Sequence, residues 1–190
     1  MDQAAVAPAR HKLTVHDYHR MAEAGILHED SRVELIEGDL IDMSPIGQGH
    51  EAVVNRLTEA LVLACAGRAI VSIQNSVRID LYSEPQPDVA ILRRRADFYA
   101  TGDRAGPADV LLLIEVADSS LRYDKTVKAP LYARAGIAEF WVVDLQKRVV
   151  DVYRGPVDGR YKEPTKHYTG EQLAFVLAPE IVVNLGLILG

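Results

Sequence analysis

The chain has 190 residues, 48% of them hydrophobic and 25% charged, with 21 Lys+Arg against 27 Asp+Glu for a formal net charge of -6. These figures exclude a disordered, collagen-like or low-complexity protein and argue against a basic coat for nucleic acid. The one cysteine, Cys65, permits no internal disulfide or cysteine-based zinc site and reads as a small buried hydrophobe.

In chain order, residues 1–12 read as a loose tail. They have no apolar core of a secretory signal, and no apolar run is long enough to span a bilayer, so a cytoplasmic location and no membrane partner are expected. Thr14 with Asp17 three residues on is a capping signal for a helix to about Ala24, stopped by Gly25. Residues 32–37 and 39–43 flank Glu37-Gly38 as a β-hairpin. From His50 to Ala66 the apolar positions Val53, Val54, Leu57, Ala60, Leu61, Ala64 and Cys65 recur at helical spacing.

A β-rich stretch follows. The alternation over 69–79 predicts one strand, and 88–92 a second. The polar stretch 93–107 reads as a mobile surface loop. Its Arg93, Arg94 and Arg95 either touch a nucleic-acid backbone or are simply solvated. Continuous apolar character over 110–116 predicts a strand buried on both faces. A helix over 124–135, a strand over 139–144 and a hairpin partner over 149–153 complete the centre. The apolar runs 173–177 and 181–189 read as further strands on the sheet edge. With no repeat or linker, 13–190 read as a single α/β domain with a mixed sheet.

Three charges fall where strands or their covering helix should bury them: Asp88, Glu115 and Lys128. On the helix, Lys128 and Tyr132 lie beside the apolar positions Val127, Leu131 and Ala135, whereas Lys125 falls a turn away and reads as solvent-facing. A lone buried carboxylate is costly, so Asp88 and Glu115 need a cation. Oxygen ligands alone suit Mg²⁺ or Mn²⁺, and such a site with a nearby lysine is equipped to hydrolyse a phosphodiester. An internal ion-pair network of the same three residues explains their spacing equally well. Glu34 is either a further site carboxylate or an ordinary strand residue. His50 is either a phosphate or supporting contact or a helix-terminal residue. Asp124 and Tyr132 read as supports for Lys128.

Several segments together resemble the Uma2 (DUF820) family of restriction-endonuclease-like proteins, over about residues 14 to 185. They are Val33-Glu34-Leu35-Ile36-Glu37-Gly38-Asp39-Leu40, His50, Pro87-Asp88, Ile114-Glu115-Val116, Asp124-x-x-x-Lys128-x-x-x-Tyr132 and Gly136-Ile137-x-Glu139-Phe140-Trp141-Val142-Val143-Asp144. The resemblance implies a PD-(D/E)xK nuclease-like fold: a mixed sheet flanked by helices, with an extra N-terminal hairpin and C-terminal strands. It implies a metal-dependent endonuclease cutting DNA, with Asp88 and Glu115 on Mg²⁺ or Mn²⁺ and a homodimer bringing one site to each strand. The lysine normally found two residues after the acid is replaced by Ala117, and the resemblance moves its role to Lys128. Asp118-Ser119-Ser120 stands where the family often has Ser-Pro-Ser, and Pro130 interrupts the helix. The competing readings are an inactive nuclease-fold binding or assembly module, and hydrolysis of RNA or another phosphoester.

Overall fold

Continuous burial makes the centre of the sheet. All eight residues of β5 (Val110–Ala117) and all six of β6 (Glu139–Asp144) are buried, as expected of strands covered on both faces. The computed structural model describes residues 10–28 and 30–190; most of the 1–12 tail therefore lies outside the described residues.

The elements before the centre are α1 (Val15–Glu23), β1 (Val33–Ile36), β2 (Asp39–Asp42), α2 (Gln48–Cys65), β3 (Ala69–Ile73) and β4 (Val89–Arg93). After β5 the chain turns through α3 (Leu121–Tyr123), a π-helical turn (Asp124–Lys128) and α4 (Ala129–Arg134) before β6. It ends with β7 (Val149–Arg154), β8 (Thr165–His167), β9 (Gln172–Ala174), β10 (Val182–Asn184) and α5 (Gly186–Leu189). The main sheet has the order β3-β4-β5-β6-β7-β8 and is antiparallel except for the parallel pair β5–β6. A parallel pair needs a crossover, and α3–α4 supplies it. Among the described residues no helix is long and apolar enough to cross a membrane.

Strand alternation sends side chains to two cores. Val89, Ile91, Ile114, Val116, Trp141 and Val143 face α2 and the C-terminal hairpin β9–β10. Ala90, Leu92, Leu113, Ala117, Phe140 and Val142 face the crossover helix. Glu115 shares the parity of this second set and is aimed at the crossover helix, whereas Asp88 lies just before β4 at the end of the sheet, where His50 of α2 reaches its carboxylate.

The hairpin β1–β2 turns on Glu37 and Gly38, both at positive φ. A Cβ on Gly38 would come within 2.7 Å of the Lys12 Cβ, and the Gly38 carbonyl accepts the Leu13 amide at 3.0 Å. That close approach locks the hairpin to the entry of α1. Thr14 and Asp17 form the expected capping box.

Four expectations from sequence need correction. The strand begun at Ala69 stops at Ile73, because Gln74 takes a left-handed φ of 50° and diverts the chain. Residues 93–107 are pinned by their own contacts. Arg95 pairs with Asp97 at 2.6 Å and lies over the Tyr99 ring, Arg94 lies over Phe98, and Tyr99 donates its hydroxyl to the Arg93 carbonyl at 2.9 Å. The last strands do not extend the sheet edge, which the polar β8 occupies. Instead β9–β10 forms a separate two-stranded sheet against α2, anchored by buried Glu139, which accepts the Val176 amide at 2.7 Å. Finally, the helix expected over 124–135 begins at Leu121 and contains the π-turn.

Candidate active site

Pro130 explains the π-turn. It has no amide to give the Thr126 carbonyl, and its ring would strike that carbonyl in a regular helix. The backbone widens, and the Ala129 amide reaches the Asp124 carbonyl five residues back. Asp124 and Lys128 are both buried as a result, on the side facing the sheet. Such turns recur at functional sites.

Lys128 Nζ lies 2.9 Å from Glu115 Oε1 and 3.2 Å from Glu34 Oε2. Tyr132 donates its hydroxyl to the same Glu115 oxygen at 3.0 Å. Glu34 Oε2 also accepts the Gln86 amide at 3.1 Å. Across the β4–β5 pairing, Asp88 Oδ2 accepts the Val116 amide at 2.8 Å and the His50 Nε2–H at 3.0 Å. Ser120 donates to Asp124 Oδ2 at 2.7 Å. The structure thus brings together all seven side chains singled out from sequence: Glu34, His50, Asp88, Glu115, Asp124, Lys128 and Tyr132. The hairpin brings Glu34, α2 brings His50, the residue leading into β4 brings Asp88, β5 brings Glu115, and the crossover helix brings the rest.

All of these side chains except Tyr132, which lies behind Glu115, border a cleft of 340 Å³. Six carboxylates line it, from Glu34, Asp42, Asp88, Glu115, Asp118 and Asp124, against three basic side chains, Arg32, Lys128 and His50. The imbalance decides the proton affinities. Burial pushes the Glu115 carboxyl well above the ordinary range, Lys128 draws it back, and Asp124, Asp88 and Glu34 push it further up. Burial likewise raises Asp124 to about 6, against the opposing pull of Lys128 and Ser120. Burial alone would lower the Lys128 amine, but Glu115, Glu34 and Asp124 outweigh it and hold the amine charged. The hydrogen bond to Asp88 raises His50. The cluster carries more negative charge than Lys128 neutralises.

Sequence reasoning missed Tyr123, whose hydroxyl is buried at the cleft wall without a hydrogen-bond partner among the described residues. It also missed Gln86 and Ser120, which hold Glu34 and Asp124; ordinary polar residues in loops gave no signal for this. Lys125 is not solvent-facing but pairs with buried Asp151 at 2.5 Å. Arg93 ends β4, five residues and about 17 Å along the strand from Asp88. The three arginines are therefore remote from the cleft.

A mixed sheet flanked by helices, with acids from adjacent strands and a lysine from the crossover helix on one cleft, defines a PD-(D/E)xK nuclease-like protein. The chain belongs to the Uma2 family, described as "Putative restriction endonuclease", whose model matches residues 15–186. A solved structure described as a "putative nuclease belonging to DUF820", from Anabaena variabilis ATCC 29413, has the same fold. Its TM-score is 0.69 at 14% identity, over 93% of this chain and 97% of that one. No curated protein matches the chain significantly.

Proposed function

We propose that this chain is a divalent-metal-dependent endonuclease that hydrolyses phosphodiester bonds in cytoplasmic DNA. The observation that carries this reading is the surplus of buried carboxylates around one lysine in a single cleft. An anionic substrate would be repelled from such a cleft unless a cation were bound there.

The donor chemistry suits Mg²⁺ or Mn²⁺. Asp88 and Glu115 would hold the ion, and Glu115 Oε2 has no protein hydrogen bond among the described residues. No group of three or more His, Cys, Asp or Glu side chains is gathered among the described residues as a metal cage. Mg²⁺ commonly takes only one or two carboxylates and keeps its waters, so two protein ligands suffice. When bound, such an ion polarises a phosphoryl oxygen and lowers the pKa of a bound water.

The chain's own residues do the positioning. His50 and the Val116 amide fix one oxygen of Asp88, and Tyr132 fixes one oxygen of Glu115. Lys128 offers a charged amine beside Glu115, in the role left empty by Ala117. There it would orient the attacking water or stabilise the charge that builds on the pentacoordinate phosphate. Asp124 helps keep that amine charged. A homodimer would set one cleft against each strand of a duplex, and sedimentation should show it.

The direct experiment is incubation of the purified protein with supercoiled plasmid, with and without Mg²⁺ or Mn²⁺. Nicked or linear product from the wild type with metal, and none from Asp88→Ala, is the expected result. A second reading, an inactive binding or assembly module, draws on the existing pairing of Lys128 with two carboxylates; intact plasmid in every lane would favour it.

A further inference from the structure

We propose that the Tyr123 hydroxyl is a substrate-positioning donor that holds a non-bridging phosphate oxygen in the cleft. This rests on the phosphodiesterase reading and adds a residue to it.

Tyr123 closes α3, immediately before the π-turn that buries Asp124, and its side chain lines the cleft. Its hydroxyl is shielded from solvent and has no hydrogen-bond partner among the described residues. A buried phenol left in that state is destabilising, so its retention needs a reason. Glu34, Asp124 and Glu115 are near enough to act on it electrostatically, yet none accepts its proton.

The other buried donors in and around the cleft are already committed, and Arg32, Ser44 and Ser119, which line it without side-chain hydrogen bonds among the described residues, stand exposed to solvent. Lys128 and Tyr132 serve Glu115, Ser120 serves Asp124, and the Gln86 amide serves Glu34. His50 Nδ1 also lacks a partner among the described residues; it is an acceptor in the neutral ring and, in the protonated ring that the Asp88 bond favours, a charged donor beside the neutral Tyr123 hydroxyl. Tyr123 therefore presents an uncommitted neutral donor in a cleft crowded with carboxylates. A phosphate oxygen is the acceptor the proposed substrate would bring.

The test compares wild type with Tyr123→Phe, using the full chain. Three readouts are needed: urea unfolding, kcat and KM on a labelled DNA duplex with Mn²⁺, and binding of inorganic phosphate with Mn²⁺ followed by ³¹P NMR. The expected result is unchanged or greater resistance to urea, kcat/KM lower by about tenfold to a hundredfold, and weaker phosphate binding. Loss of urea resistance would mean a structural role and would overturn the proposal. Wild-type kinetics in Tyr123→Phe would overturn it while leaving the nuclease reading intact. A wild type that cleaves nothing but binds phosphate more tightly than Tyr123→Phe would remove turnover and retain the hydroxyl's role. A wild type that neither cleaves DNA nor binds phosphate would remove both.

Discussion

Lys128 Nζ stands 2.9 Å from Glu115 Oε1 and 3.2 Å from Glu34 Oε2, so one amine ties the central sheet to the N-terminal hairpin. Both carboxylates and the amine are almost wholly buried. Removing one partner from such a group costs far more than the ion pair itself contributes. Lys128→Met should lose about 3–5 kcal/mol at pH 8. The loss should be smaller at pH 5, where Glu115 takes up a proton more readily. Chemical denaturation at the two pH values measures this, and equal losses would show that Glu115 does not respond to the missing charge.

Asp124 gives a second pH signature. Its carboxyl is raised from 3.8 to about 6, first by burial. The folded protein thus holds this proton more tightly than the unfolded chain, and stability falls as pH rises from about 4 to 6 and is level above. A shift of about two units corresponds to about 3 kcal/mol. Asp124→Asn should therefore flatten that slope and be the more stable protein at pH 8, at the expense of cleavage. Parallel stability curves for the two proteins would contradict this.

Tyr132→Phe isolates one hydroxyl. The ring would keep its edge contact with Phe140, at 5.0 Å between centroids, while Glu115 would lose a donor. The expected cost is about 1–2 kcal/mol in urea unfolding. No measurable change would mean that Lys128 alone satisfies Glu115.

Pro130→Ala tests the origin of the π-turn. A restored amide could bond the Thr126 carbonyl and close the turn into regular α-helix, rotating Asp124 and Lys128 against each other. Stability should hold or rise by less than about 1 kcal/mol, and plasmid cleavage should fall. Full activity with the turn still present would show that the Lys128 ion pairs hold it open.

Much of this arrangement is visible in the pattern of residues. The apolar run around Glu115 and the run after Asp88 reveal two buried strands, and acids borne on them are expected to lie close together. The helical spacing of Lys128 and Tyr132 points them towards the sheet. What stayed hidden depended on particular backbone details. The left-handed Gln74 has no sequence signature, and it ends a strand whose alternation continues to Ile79. The edge strand β8 is short and polar, so it carries no apolar pattern to detect. Pro130 signals a disturbed helix, but whether it kinks, delays or widens the helix is decided by packing. Glu34 became assignable only once the hairpin was seen docked over the site.

In the proposed function the carboxylates around Lys128 form a working cation site and not merely an internal ion-pair network. Titration calorimetry with Mn²⁺ on wild type, Asp88→Ala and Glu115→Gln, each checked for folding, tests it most directly. A working cation site requires Mn²⁺ binding by the wild type that is lost or greatly weakened in both variants. Absence of binding by the wild type, or equal binding by all three proteins, would contradict it.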